Sequence, residues 1–476
     1  MEPKSFDLVV IGGGPAGSSG AVAATLFGKT VALVEKEIQV GGAGLNTGTI
    51  PSKALRESAL VLSGWRARKL LGLDVALRHE STIPQLAYHA DHVRDTLRSQ
   101  VSSRLGERGV KVFHGKASFA DAHTVHVLDP QGRETWLEGN VILVATGSSP
   151  VRPPEFPFEH PRVHDSDEIL EITNLPKKLA VIGAGVIGAE YACTFAALGV
   201  EVHVVDGRSV LLPFLDHEIS AAIEKGMRQE RIQFHWNELV VRCAVTDQGE
   251  IILGLSSGGE LRITDVLVAF GRSSKTAELN LPAAGLTPGK RGLIQVNAVY
   301  QSEVPNIYAA GDVIGPPALA ATSMEQARVA ILHAFGLLKK EGPGLLPTGI
   351  YTIPEASMVG QTEQAVKQAG IDYLIGRAAY SQNPRGCLIG DEHGFLKLIF
   401  RRDDLRLLGV HAVGEQATEL IHIGLMAMIA EGDAEMFNRT CFNYPTLGDL
   451  YKYATYDVMV QRELGLSLGP QPIRPS

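Results

Sequence analysis

Phe6–Glu35, FDLVVIGGGPAGSSGAVAATLFGKTVALVE, reads as a strand, a glycine turn, a small-residue helix and a second strand ending in an acid. Leu179–Asp206, LAVIGAGVIGAEYACTFAALGVEVHVVD, repeats the unit. In the first copy Gly12, Gly14 and Gly17 precede Glu35, which stands eighteen residues beyond the third glycine. In the second, Gly183, Gly185 and Gly188 precede Asp206 at the same spacing. A single GxGxxG run is a weak signal because glycine is common, but two copies with matching strands, helices and acids are strong. The first glycine makes the tight turn, the second lets the backbone approach a pyrophosphate, and the third lets helix and strand pack closely. Phosphates then sit at a helix N-terminus, and the terminal acid accepts hydrogen bonds from ribose hydroxyls. A pair of tight turns that bind nothing would explain the glycines but not the acid at each end.

The rest of the chain fits an α/β protein. Its 51 glycines against 15 Phe, 11 Tyr and 3 Trp suit a fold with many strand-to-helix turns. With 476 residues, 45% of them hydrophobic, it can bury the cores of two to four domains. A net charge of −8 argues against a general nucleic-acid or anionic-membrane surface. Met1 leads straight towards a strand at Leu8–Ile11, so no signal peptide is expected, and no apolar run is long enough to span a membrane. Cys193, Cys243, Cys387 and Cys441 lie far apart, which supports neither a disulfide framework nor a zinc or other metal site. The expected location is the cytoplasm.

Between the two glycine units, Val141–Pro150 (VILVATGSSP) reads as a strand ending in a turn, and the Pro-rich Val151–Pro161 reads as a linker. Asn306–Gly315 (NIYAAGDVIG) is a further strand-to-turn segment. After about Leu346 short strands such as Phe395–Phe400 alternate with a long amphipathic helix near Glu419–Ala430, which predicts a separate α+β domain. Leu337–Leu346 is the expected connector, and the residues after Leu464 read as a disordered tail. His411, His422, Met426 and Met428 are expected to pack in the core or at an interface.

IGGGPAG, ATGSSP, IGAGVIGAE, AFGR, YAAGDVIG, YTIPEASMVG and YPTLGD occur in an order that resembles the FAD-dependent pyridine nucleotide-disulfide oxidoreductases of class I, such as dihydrolipoamide dehydrogenase and glutathione reductase. The likeness spans essentially the whole chain. It implies two Rossmann-like dinucleotide-binding domains, for FAD and for NAD or NADP, and a C-terminal α+β dimerisation domain. The divisions it suggests are 1–150 and 276–346 for the two parts of the FAD domain, 151–275 for the NAD(P) domain, 347–464 for dimerisation and 465–476 for the tail. It also implies a homodimer or a higher homo-oligomer.

Carried over position by position, the resemblance gives FAD the residues Gly12, Gly14, Gly17, Glu35, Lys36, Gly42, Gly44, Thr49, Lys53, Ala117, Thr146, Gly147, Asp312 and Ala320. Gly183, Gly185, Gly188, Asp206, Arg208 and Gly271 fall to the nicotinamide nucleotide. Lys53, in IPSK, resembles the lysine beside flavin N5 and Glu190 its ion-pair partner. These two are the candidate catalytic residues, because a charge there responds as hydride reaches the ring.

Two departures decide the expected reaction. The family's disulfide reductases carry GGxCxxxxCIPSK, whereas this chain reads GGAGLNTGTIPSK, with Gly44 and Thr49 where the cysteines would stand. Neither can form the thiolate that thiol–disulfide exchange needs. Tyr444, in YPT, replaces the histidine that serves as the thiol's acid and base, while Asp449 keeps the acid position. Tyrosine, with a reference pKa of about 10, is poorly poised for proton shuttling at neutral pH. A flavin, a nicotinamide site and no thiol imply ping-pong hydride transfer through flavin N5, between NADPH and NAD+. LLPFLDHEIS, PTGIYTIPE, ELIHIG and CFNYPT are similar to the family's transhydrogenase branch, although that branch commonly keeps the first cysteine. An NAD(P)H-dependent quinone or small-acceptor reductase, a dihydrolipoamide dehydrogenase-like paralogue without thiol activity, and a flavin-binding protein without turnover remain alternatives. Asp206 favours the free ribose diol of NAD, and Arg208 is either a partner for the 2′-phosphate of NADP or a solvated surface residue. Val186 either leaves room for the nicotinamide or simply packs strand on helix.

Overall fold

The computed structural model describes residues 2–64, 70, 83–246, 248–337 and 344–464. Strand Lys4–Ile11 pairs in parallel with Val31–Glu35 on one side and Glu134–Val144 on the other. Leu8, Val9 and Val10 are fully buried, as their unbroken apolar run requires in a strand covered on both faces. The crossover helix Pro15–Thr25 takes its proline in the first turn and buries Ala16, Gly17, Gly20, Ala21 and Ala24. That small-residue face lets the helix lie close to the sheet: a Cβ on Gly20 would stand 2.6 Å from Leu143. Strand Ile307–Ala309 adds in parallel to the far half of Glu134–Val144, so the chain returns to its first sheet after building a second.

In the second sheet Lys178–Ile182 is flanked by Glu201–Asp206 and Asp265–Val268, with Gln233–Trp236 and Val163–Asp165 outermost, all parallel. The Pro-rich stretch before it is more than a linker. Phe156 is buried in the core with Val163, Ala180 and Ile182, and its ring lies beside Phe158 and Phe270. The aromatic residues set among the prolines were the sign of this anchoring.

The third sheet is antiparallel, in the order Thr348–Ile350, Ala356–Gly360, Leu407–Val413, Phe395–Arg401 and Tyr373–Ala379. Helix Ala417–Ile429 packs on Leu407–Val413, and helix Leu450–Glu463 on Tyr373–Ala379. The fold class is therefore the one the sequence implies, α/β with two Rossmann-like units followed by an α+β unit. Of the four residues expected to pack, His411 is fully buried and Met428 half-buried, whereas His422 and Met426 face outward.

The second and third units share one core, in which Leu179, Val181 and Phe195 meet Ile350, Ile353, Phe395 and Val413. They also share a buried ion cluster. Asp216 caps helix His217–Gln229, and Lys397 Nζ lies 2.8 Å from Asp216, 3.1 Å from Glu218 and 2.6 Å from Glu363. Arg377 Nε adds a second cation 2.9 Å from Glu218. The tail 465–476 and residues 338–343 of the connector lie outside the described residues. All four cysteines are free thiols. Among the described residues no helix is long and apolar enough to cross a membrane.

Candidate active site

A cavity of about 1130 Å³ opens at the C-terminal ends of Lys4–Ile11 and Val31–Glu35, the crevice where doubly wound sheets take their ligands. Of the first glycine unit, Gly12, Gly14, Glu35 and Lys36 line it. Gly42, Gly44, Thr49 and Lys53 form another wall, and Ala117, Thr146, Gly147, Asp312 and Ala320 complete the expected set. Gly17 sits behind the wall, where a Cβ would come 1.8 Å from the Gly12 carbonyl oxygen. Gly12 itself needs its positive φ of 103°, and a Cβ there would meet the Ala145 carbonyl oxygen at 2.4 Å.

Both strand-end acids brace their own glycine loops. The Gly13 N–H donates to Glu35 Oε2 at 2.8 Å, and the Ala184 N–H donates to Asp206 Oδ2 at 2.7 Å. Gly13 and Ala184 hold the same place, between the first two glycines of each unit. Glu35 receives one further N–H, from Glu37 at 3.0 Å, and so retains acceptor capacity for a ribose, whereas Asp206 has both oxygens doubly occupied by Ala184 and Arg208.

The cavity suits FAD on its own chemistry. Thr146 Oγ1 is buried in the wall without a hydrogen-bond partner, a position that a bound polar group would satisfy. Two residues on, the Ser148 hydroxyl donates to Asp312 Oδ2 at 2.6 Å. Arg272 Nε donates to the same Ser148 oxygen at 2.8 Å and Arg272 Nη1 to Asp167 at 2.9 Å. The second unit thereby reaches the floor of the first. Arg272 is the arginine of AFGR, a motif present in the sequence reading although this residue was not singled out.

The Lys53 ammonium lies 2.6 Å from Glu190 Oε2, joining helix Thr49–Leu62 to helix Val186–Ala197. The Tyr351 N–H donates to the other oxygen, Glu190 Oε1, at 2.9 Å. The Tyr351 ring stands 5.0 Å from the ammonium. Lys53, Glu190 and Tyr351 all face the cavity, and burial pushes the Tyr351 hydroxyl pKa up.

The second glycine unit is placed differently. Gly183, Gly185, Gly188, Asp206, Arg208 and Gly271 do not line the cavity, which is reached from that side by Val186, Ile187 and Glu190 of the following helix. Asp206 and Arg208 form an ion pair at 2.7 Å, so Arg208 is not simply solvated. Burial works to raise the Asp206 carboxyl, but Arg208 and the Ala184 N–H outweigh it and hold the group below the usual carboxylate range.

Gly44 and Thr49 line the cavity as expected, and among the described residues neither cysteine nor histidine does. Tyr444 is 69% exposed on the third unit. The acids Asp216, Glu218 and Glu363 stand close enough to share an ion, but the Lys397 ammonium already lies among them.

Residues 6–334 match the family model described as pyridine nucleotide-disulphide oxidoreductase, and residues 346–455 match the dimerisation domain of the same family. The chain belongs to the pyridine nucleotide-disulphide oxidoreductase family. This oxidoreductase is 43% identical over 457 residues to the soluble pyridine nucleotide transhydrogenase of Mycobacterium bovis, with 96% of this chain and 97% of that one covered. It is 41% identical over 467 residues to the protein of that name from Pseudomonas putida, covering 96% and 99%. Among solved structures, LpdA from Mycobacterium tuberculosis superposes with a TM-score of 0.88 at 25% identity, covering 95% and 99%. The Cu(II) complex of the flavoprotein disulfide reductase RclA from Escherichia coli gives a TM-score of 0.84 at 27% identity, with the same coverage.

Proposed function

We propose that this oxidoreductase carries hydride from NADPH to NAD+ with FAD as its bound carrier, and without a redox disulfide. The observation that carries the reading is the wall at Gly44 and Thr49. It faces the cavity beside Lys53 and offers no sulfur where the family's thiol reductases have two. The transhydrogenase names of relatives aligned over nearly the whole chain support it.

On this reading Gly12 and Gly14 leave room for the FAD pyrophosphate at the N-terminus of helix Pro15–Thr25, and Glu35 takes the adenosine ribose. Thr146 and Asp312 hold the polar chain of the cofactor. FAD, when bound, supplies a two-electron acceptor and donor that no side chain here can replace. Lys53 keeps a positive charge at the cavity wall, and Glu190 holds that charge in place. Gly183, Gly185 and Gly188 seat each nicotinamide nucleotide in turn, Asp206 and Arg208 meet its ribose, and Val186 leaves the way to Glu190 open. The working divisions are 1–150 with 276–346, 151–275 and 347–464, in a cytoplasmic homodimer.

Steady-state turnover with NADPH and a thio-NAD+ analogue tests the reading. Reduction of the analogue supports it. If NADPH bleaches the flavin and a quinone is reduced while the analogue is not, the acceptor has been misassigned.

A further inference from the structure

We propose that Tyr351 is the positioning residue that fixes the Lys53 ammonium, and with it the charge that the protein presents to the flavin. The inference rests on the FAD reading above. Lys53 belongs to the first unit, Glu190 to the second, and Tyr351 follows strand Thr348–Ile350 of the third. A lysine has four rotatable bonds, and one ion pair sets its distance from Glu190 without setting its direction. Tyr351 supplies what is missing, twice over. Its N–H occupies Glu190 Oε1 at 2.9 Å, which leaves Oε2 for Lys53 at 2.6 Å. Its ring face, 5.0 Å from Nζ, attracts the ammonium by its negative quadrupole. Among the described residues Nζ also donates to the Ser52 hydroxyl, at the longer distance of 3.5 Å. Pinned between carboxylate and ring, the ammonium keeps one place as charge builds on the cofactor, so little reorganisation is needed.

The backbone N–H survives any substitution at 351 except proline, so side-chain variants isolate the ring. Tyr351→Phe keeps the face and is expected to hold the flavin midpoint potential, and to keep NADPH-driven flavin reduction within about twofold of the parent. Tyr351→Leu removes the face; reduction is expected to slow by roughly tenfold and the midpoint to move to lower potential. Phenylalanines carrying one, two or three fluorines at 351 keep the shape and progressively weaken the quadrupole. They should give a graded decline in both readouts, and they decide the matter if the Leu variant loses FAD. A flat fluorine series in protein with full FAD content overturns the proposal and leaves Tyr351 as a wall residue. Failure of the FAD reading would look different, since no flavin would co-purify or none would be reduced by NADPH.

Discussion

Arg208 closes on Asp206 as a two-pronged clasp, with Nε 2.9 Å from Oδ1 and Nη2 2.7 Å from Oδ2. The same carboxylate also receives the N–H groups of Ala184 and Arg208. On the proposed function, a free ribose diol would compete with Arg208 for the acid, whereas a 2′-phosphate would draw the guanidinium away from it.

Arg208→Ala should therefore lower kcat/KM for NADPH by roughly tenfold or more and change that for NADH by less than about threefold. Steady-state kinetics with each donor checks this. Equal losses for the two donors would show that the clasp does not read the phosphate.

Lys53→Met should keep FAD, because the lysine is one contact among many along the cavity, yet slow flavin reduction by NADPH by about 100-fold. Glu190→Gln should weaken the same step less, since the amide still accepts a hydrogen bond from the ammonium. Stopped-flow bleaching of the flavin measures both, and an Lys53→Met protein as fast as the parent would remove Lys53 from the mechanism.

Restoring the family's cysteines should not restore thiol chemistry. A Cβ at Gly44 would lie 2.6 Å from Pro15 Cγ, so Gly44→Cys with Thr49→Cys should cost about 1–3 kcal/mol in overpacking. With Tyr444 in place of the histidine, no dihydrolipoamide turnover is expected. Thermal melts and a lipoamide assay test the pair of claims; an undiminished Tm together with thiol turnover would contradict both.

Burial alone would push the Asp216 and Glu218 carboxyls up, but His411 and the Lys397 ammonium hold Asp216, and Arg377 and then Lys397 hold Glu218, below the usual carboxylate range. Their stabilising contribution is complete above about pH 4 and is lost as pH falls through the lowered folded values. Burial works to lower Lys397, and its acidic neighbours raise it instead. Its contribution is complete below about pH 10 and is lost as pH rises through the raised folded value. The part of Tm that these three groups set should be flat between those limits, while His411, whose pKa burial holds below the usual histidine value, should lower Tm as pH falls below about 6.5. Lys397→Met, which strands buried Asp216, should cost about 3–5 kcal/mol in the junction at neutral pH. A melt unchanged by that substitution would mean the cluster adds nothing net.

The glycine units were legible because each is local: turn, helix start and acid lie within thirty residues of Phe6 and of Leu179. The side chains that complete the site are not local. Tyr351 reaches Glu190 across 161 positions, and Lys397 reaches Asp216 across 181. No periodicity links such pairs, and a lysine in an otherwise apolar strand gives no sign that its partners cap a helix in another unit. Arg208 lay between, since its sequence neighbour Asp206 was visible but the choice between clasp and solvent needed coordinates. Phe156 was read as part of a linker because the prolines around it spoke more loudly than its ring.

Lys53, Glu190 and Tyr351 come from three different units of the chain, and each touches the other two or their backbone. Such a site cannot be inherited piecemeal. A chimaera that takes its last unit from a relative keeps both glycine turns and still loses the residue standing over the lysine, unless a tyrosine arrives at the same height. Recombination between cousins is therefore constrained at one point in space rather than along any one stretch of chain, and a severed C-terminal unit should depress flavin chemistry even where every glycine is untouched.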